Sequence, residues 1–404
     1  MEFGPIWRAA LRNKTGVALI MLQVAFTMAI VVNAIAIAQK QADDINRPSG
    51  VDEANMFHLQ STGFAAGFND KVTIEEDLRL IRSQPGVVAA IQTNSVPLSG
   101  SGWSNELQMV PGSASESIPT ALYFVDEQAV DTYGVELVAG ENFAPSDVTW
   151  RAPNSSNWST QTIISKALAT KLFPDDANYG VGKTIYINED DPVTIRGVID
   201  RLQAPWSGWD EGAEHSALLP LRLLGNTTSY LVRTEPGRRD ELMPRIEQLL
   251  AERENGRILR NLRTMEETRK RSYENNTALV NILATLIIIL VAITTLGIAG
   301  LTSFNVTRRT KQIGTRRALG ASRKAILRYF LAENLLVTGI GVALGALVGV
   351  GLNIAMVNAF SIPRFDWYLL PAAMVVMLVI GQLAVLVPAR RAAAIPPALA
   401  TRTI

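Results

Sequence analysis

Four long apolar runs divide this chain, at residues 16–38, 277–306, 331–357 and 368–387. Glu333, at the edge of the third run, is their one charged side chain. A bilayer core needs about 20 apolar residues, so each run is expected to be a transmembrane helix. At 1.5 Å per residue the first is about 35 Å long, enough to cross with some tilt. Its small-residue ending, AIAIAQ, also fits a signal-peptide cleavage site. The run is longer than a signal core, so a retained span is expected.

Residues 39–276 mix helical and strand periods. In 74–84, Ile74, Leu78 and Ile81 fall on one helical face, and Glu75, Glu76 and Asp77 suit the first turn. Pro85-Gly86 stops that helix, and 87–91 reads as a strand. The β-rich runs 184–187 and 193–199, separated by 188–192, read as a hairpin. Residues 239–254 read as a helix through Leu242, Ile246, Leu249 and Leu250, with Pro244 blurring its start. The stretch 110–162 is rich in Ser, Pro, Asn and Gly and is expected to hold long loops, 145–159 least ordered. Residues 265–276 contain no Gly or Pro, so one continuous helix is expected from Met265 to Val306, about 63 Å long and projecting as a stalk. Residues 1–15 are expected to form an amphipathic helix in the headgroup layer. The fold class is therefore an α-helical membrane protein with four transmembrane helices and a large α+β extracytoplasmic domain inserted between the first and second spans.

Charge orients this plan. Residues 1–15, 307–330 and 388–404 together hold 14 Lys/Arg and one acid, Glu2, whereas 39–276 carry 23 Lys/Arg against 34 Asp/Glu. The positive-inside rule places both termini and 307–330 in the cytoplasm, and 39–276 with the short 358–367 loop outside. No cysteine is present, so disulfides and thiolate chemistry are excluded.

Candidate chemistry is sparse. GVGKT at 180–184 lacks the first glycine of a phosphate-binding loop, where Ala177 stands, and it enters a β-rich run. A loop ahead of the hairpin is expected instead. His58 and His215 show no metal spacing, and the paired carboxylates Asp175-Asp176 and Asp190-Asp191 sit in turn-like segments. No catalytic residue, metal site or cofactor is expected, nor any nucleic-acid partner. The spans are otherwise apolar, which argues against ion conduction. Gly341, Gly345 and Gly349 form a small-xxx-small stripe suited to close helix packing, with the partner helix left open.

The segment 308–328 is expected to form a short helix along the cytoplasmic surface. Its sequence from Arg309 through Lys311, Gln312, Ile313 and Gly314 to Arg316, Arg317, Leu319 and Gly320 closely resembles the RTxEIGxRxAxGAS signature of MacB-like/FtsX-like ABC permeases. The match continues through Ile326, Phe330, Leu331 and Glu333, and the Pro388–Ala393 stretch resembles the PARRAA tail of that family. Gly140-Glu141-Asn142-Phe143 and Leu172-Phe173-Pro174, with Gly180-Val181-Gly182-Lys183, resemble its periplasmic core domain. The usual Glu of the signature is Gln312 here, and the tail departs at Pro397-Ala398-Leu399.

The resemblance implies a permease without a fused ATPase domain, in the bacterial inner membrane. It implies a homo- or heterodimer that works with a separate cytoplasmic ABC ATPase, with a periplasmic adaptor and outer-membrane channel as frequent partners. Arg308, Arg309, Lys311, Gln312, Ile313, Gly314, Arg316, Arg317, Leu319 and Gly320 would couple to the ATPase. The resemblance further implies mechanotransmission, with export of a periplasmic drug or peptide as its output or, alternatively, lipoprotein release or activation of a cell-wall hydrolase. The alternative of a different class is a membrane-anchored sensor or binding module that transports nothing.

Overall fold

The computed structural model describes residues 14–112, 116–210, 212–253, 256–360 and 364–396. The expected amphipathic helix at 1–15 therefore falls almost wholly outside the described residues, as do the middle of the 358–367 loop and the end of the tail. In chain order the helices are α1 (Lys14–Asn46), α2 (Asp70–Arg82), α3 (Ala129–Tyr133), α4 (Lys166–Leu172), α5 (Arg239–Ala251), α6 (Met265–Ser272), α7 (Glu274–Arg308), α8 (Thr310–Ala318), α9 (Arg323–Phe360) and α10 (Leu369–Ala393). The chain divides into two compact units: Asn46–Asn275, and the described residues before and after it.

Among the described residues the Asn46–Asn275 unit holds two large sheets and a two-stranded parallel pair, Thr149–Arg151 with Leu221–Leu223. Strands β1 (Met56–Gly63), β2 (Val87–Thr93), β12 (Thr227–Thr234) and β13 (Arg257–Thr264) form the first, in the order β13-β1-β12-β2 with every neighbouring pair antiparallel. With α2 after β1 and α5 after β12, this is a split β-α-β arrangement whose two halves come from opposite ends of the unit. Ile74, Leu78 and Ile81 of α2 and Leu242, Ile246 and Leu250 of α5 bury with Phe57, Leu59, Tyr230 and Val232 of the sheet.

The remaining strands are inserted between the halves. They are β3 (Trp103–Gln108), β4 (Ser117–Phe124), β5 (Leu137–Gly140), β6 (Thr149–Arg151), β7 (Gln161–Ser165), β8 (Thr184–Ile187), β9 (Asp191–Ile199), β10 (Ser216–Leu219) and β11 (Leu221–Leu223). Seven of them form one sheet, ordered β5-β9-β7-β10-β4-β3-β8, and β8 pairs with β9 as well. Six strands thus close into a ring, which leaves few free edges. Leu107, Phe124, Ile164, Ile185, Ile195 and Leu219 lie in the core of this sheet.

The stretch 110–162 corrects the expectation of long loops. It holds β4 through β6 and the start of β7, and β4 is buried along most of its length. The polar composition concealed strands whose partners are distant: β4 pairs with β10 across nearly one hundred residues of chain. The hairpin of β8 and β9 forms as the alternation predicts, turning through Asn188 and Glu189 with positive φ.

The expected continuous helix from Met265 is interrupted at Tyr273, whose φ of −103° and ψ of 13° end α6. The physical reason is tertiary. Tyr273 is buried, and its hydroxyl accepts a 2.5 Å hydrogen bond from Gln203 Nε2. Helix α7 alone has 35 residues, about 52 Å by rise per residue, still well beyond a bilayer core of about 30 Å.

In the other unit, α1, α7, α9 and α10 are each long and apolar enough to cross a membrane. Helix α1 runs past the apolar stretch to Asn46, and near its polar end Gln41 Oε1 accepts a 2.6 Å bond from Asn276 Nδ2 of α7. The glycine stripe finds its partner in α1. A Cβ on Gly341 would lie 3.0 Å from the Met21 carbonyl oxygen, and one on Gly345 would lie 2.6 Å from that of Ala25. Gly349 faces Val32 and Ala29.

The helix interior is not apolar throughout. Thr27 and Thr294 hydroxyls are 2.7 Å apart, and Asn33 Nδ2 donates to the Gly349 carbonyl at 3.0 Å. Asn334 Nδ2 donates to the Gly381 carbonyl at 2.9 Å. These uncharged groups act as interhelical contacts, each worth about 1 kcal/mol in lipid.

Candidate coupling site

Helices α7 and α9 are joined by a compact turn-helix-turn. Helix α7 ends at Arg308, and α8 follows after Arg309 alone. The expected short helix is therefore only Thr310–Ala318; Arg323, Lys324 and Arg328 belong to the first turns of α9. The end of α8 explains its glycine. The Gly320 N–H donates to the Arg317 carbonyl and the Ala321 N–H to that of Arg316, the paired bonds of a Schellman cap. Gly320 has a φ of 97°, a conformation that costs other residues a Cβ clash. Ser322 Oγ then accepts from the Ala325 N–H to start α9.

One side of α8 is clamped to the long helices. Ile313 and Gly314 are buried, and Ile313 joins Val306, Ile326 and Phe330 in one apolar cluster. Arg309 Nη1 reaches both carboxylate oxygens of Glu333 at 3.0 Å. Arg317 Nη1 donates to the Ala393 carbonyl at 3.3 Å, at the carbonyl-bearing end of α10 where a cation is favoured.

The opposite side faces outward. Lys311, Gln312, Thr315, Arg316 and Leu319 are exposed, and Leu319 is 83% accessible. The Arg316 guanidinium lies 5.1 Å from the Tyr329 ring centroid, and that of Arg308 lies 5.5 Å from the ring of Phe304. The ten residues singled out in this segment thus fall into two groups. Arg309, Ile313, Gly314 and Arg317 hold the helix, while Lys311, Gln312, Arg316 and Leu319 present a cationic face around one exposed leucine. Arg308 and Gly320 flank them at either end.

Sequence reasoning missed the partner of Arg309. The ion pair with Glu333, the one charged side chain of the apolar runs, spans 24 residues of chain. The available signal was a lone carboxylate at the edge of an apolar run, a costly placement that calls for a cation.

The look-alike GVGKT forms no phosphate cradle. Gly180 and Gly182 turn with positive φ, and Thr184 opens β8. Lys183 Nζ sits 2.6 Å from the Asp176 carboxylate, and this hydrogen bond holds the Asp176 carboxyl below its ordinary range.

Comparison with known proteins agrees with this layout. Residues 17–249 match the MacB-like periplasmic core domain, and residues 284–397 match the FtsX-like permease C-terminal region. The chain belongs to this family of MacB-like, FtsX-like ABC transporter permeases. Among curated relatives is the macrolide export ATP-binding/permease protein MacB of Agrobacterium fabrum, 30% identical over 279 residues, 65% of this chain and 40% of that protein. The protein of the same name from Neisseria meningitidis serogroup A is 26% identical over 374 residues, 88% of this chain and 52% of its own length. The chain spans about half the length of the curated relatives it matches. The crystal structure of the periplasmic region of MacB from Actinobacillus actinomycetemcomitans aligns over 58% of this chain and 98% of its own, at 18% identity and a TM-score of 0.33.

Proposed function

We propose that this chain is the membrane subunit of a mechanotransmission ABC transporter. It takes up the stroke of a separate cytoplasmic ATPase at the outward face of α8 and passes it through the long helices to the α+β domain outside. The observation that carries this reading is the two-sided build of α8. A helix clamped by Ile313, Arg309 and Arg317 moves with α7, α9 and α10, while Lys311, Arg316 and Leu319 are exposed to a partner.

Further support comes from the charge distribution, since the positive-inside rule favours α8 and both termini on the cytoplasmic side. Among the described residues, the polar side chains of Thr27, Asn33, Thr294 and Asn334 join the four long helices within their apolar runs, and all four are uncharged, which suits helices that move against each other without a charged path between them. The resulting assembly is an inner-membrane dimer bearing two ATPases. Its output is export of a periplasmic substrate, with an adaptor as the expected outside partner.

The test is purification of the tagged full chain from its native membrane, followed by ATP hydrolysis by the purified material. The wild-type chain is expected to bring an ATP-hydrolysing subunit with it. Leu319→Asp combined with Lys311→Glu is expected to lose it while the chain stays membrane-inserted. Equal recovery of ATPase by the variant would refute docking at this face.

A further inference from the structure

A cleft in the Asn46–Asn275 unit has no part in this coupling. It has a volume of about 400 Å³ and lies where β1, β13 and α6 meet two loops, 98–100 and 206–208. That volume is in the size class of small-molecule sites.

Both loops are tied down. The Leu98 N–H donates to the Ala204 carbonyl at 3.3 Å and the Gly100 N–H to the Pro205 carbonyl at 2.9 Å, which joins the loops to each other. Ser207 Oγ donates to the Ser272 carbonyl at 2.9 Å, which fixes the second loop to the end of α6. Leu98 is buried with a φ of 62°, a conformation a bulky residue holds only when its surroundings impose it. The walls are therefore preformed.

The cleft's charge is unusual for this unit. Residues 39–276 carry an excess of acids, and most arginines there are matched: Arg82 and Arg222 with Asp126, Arg257 with Asp77, Arg269 with Glu53. Arg263 and Arg271 line the cleft, and among the described residues neither guanidinium lies within ion-pair distance of a carboxylate. Among the described residues the Arg263 side chain donates one hydrogen bond, from Nη2 to Asn261 Oδ1 at 3.2 Å. His58, on the cleft wall, adds no charge at neutral pH. Burial, and then Arg263 beside it, lower its pKa to about 4 against the opposing pull of the Glu267 carboxylate, and its Nε2 lies 2.8 Å from Thr268 Oγ1. Trp206 is half-buried and braced edge-to-face by Trp209, with ring centroids 5.3 Å apart, and it supplies an apolar wall.

We propose that this cleft binds a small organic anion, with its carboxylate or phosphate on Arg263 and Arg271 and its apolar body against Trp206. Guanidinium groups recognise oxyanions through paired N–H donors, and the indole gives hydrophobic contact that a purely ionic ligand would not use. The site stands apart from the proposed ATPase docking: it lies in the other unit and needs no nucleotide to be tested.

The experiment uses the full chain in lipid nanodiscs without ATP, titrated with 1-naphthoate and, separately, with its neutral amide, 1-naphthamide. Binding is read by calorimetry, and inorganic phosphate serves as competitor. Saturable binding of one naphthoate per chain is expected. It should weaken at least about tenfold for the amide and for the Arg263→Gln/Arg271→Gln double variant, the loss typical of removing charge-assisted hydrogen bonds. Arg271→Lys keeps the charge on an exposed helical position but not the paired donors, so it should lose less affinity than the double Gln variant, and it guards against a folding artefact. Trp206→Ala should weaken naphthoate and leave phosphate competition in place. Non-saturable uptake, which is partition into lipid, or equal affinity of the amide or of the double Gln variant, would overturn the proposal.

Discussion

Arg309, the single residue between α7 and α8, holds its Nη1 3.0 Å from both carboxylate oxygens of Glu333 on α9. Both side chains are mostly buried, so the pair fixes the root of α8 to the next long helix. Breaking it from either side leaves the other charge without its partner. Arg309→Gln and Glu333→Gln should each lower the thermal midpoint of the full chain in detergent. In a double-mutant cycle the two should couple by about 1 kcal/mol, since a partly buried pair exceeds a fully exposed one only modestly. A double variant whose loss is the sum of the two single losses would show that the pair contributes nothing.

Close contact between α9 and α1 rests on Gly345. A side chain there meets the Ala25 carbonyl oxygen at 2.6 Å and Met28 Cβ at 2.7 Å, and both belong to the body of α1. Gly345→Leu should therefore cost about 1–3 kcal/mol, the range for overpacking a tight contact. Gly351, on the same helix, has open space where its Cβ would be. Gly351→Leu should stay within about 0.5 kcal/mol of wild type. Thermal unfolding of the two variants side by side checks this; equal losses would deny the stripe its packing role.

Stability should also carry a pH signature from His58. Its pKa falls from 6.5 to about 4 on folding, chiefly through burial. The unfolded chain therefore takes up a proton before the folded chain does. This contribution to stability is fully present above about pH 6.5 and is lost as pH falls towards 4. Each step of one in pH between those two values costs about 1.4 kcal/mol, so the loss reaches roughly 2–3 kcal/mol by about pH 4.5. His58→Gln keeps an amide where Nε2 meets Thr268 and should flatten that part of the profile. Unfolding midpoints of both proteins between about pH 7 and about pH 4.5 measure it, and parallel profiles would rule His58 out as the source.

The four long helices, the hairpin of β8 and β9, and helices α2 and α5 were legible in the sequence because each is set by local periodicity. Apolar runs, alternation and a Pro-Gly stop need no knowledge of distant residues. The ring of strands was not legible, because β4 is defined by pairing with β3 and β10 and reads alone as a Ser- and Pro-containing stretch. Tyr273 was missed for a related reason. Nothing in the residues around it breaks a helix; the break comes from burial of its ring and the bond from Gln203, seventy positions away. In the segment from Arg308 to Gly320 the motif singled out residues but did not divide them by side. The split between Arg309 or Ile313 on the clamped side and Lys311 or Leu319 on the free side depends on where α9 and α10 lie.

The claim that an ATPase pushes on the outward face of α8 is tested most directly by contact at Leu319. The chain has no cysteine, so Leu319→Cys gives a single attachment point for a benzophenone maleimide in native membranes. Leu22→Cys on α1, exposed on an apolar stretch expected to face lipid, serves as the comparison. The account predicts that irradiation joins the label at 319 to an ATP-binding polypeptide, and that the label at 22 captures lipid or another copy of this chain. Capture of lipid alone at both positions would contradict it.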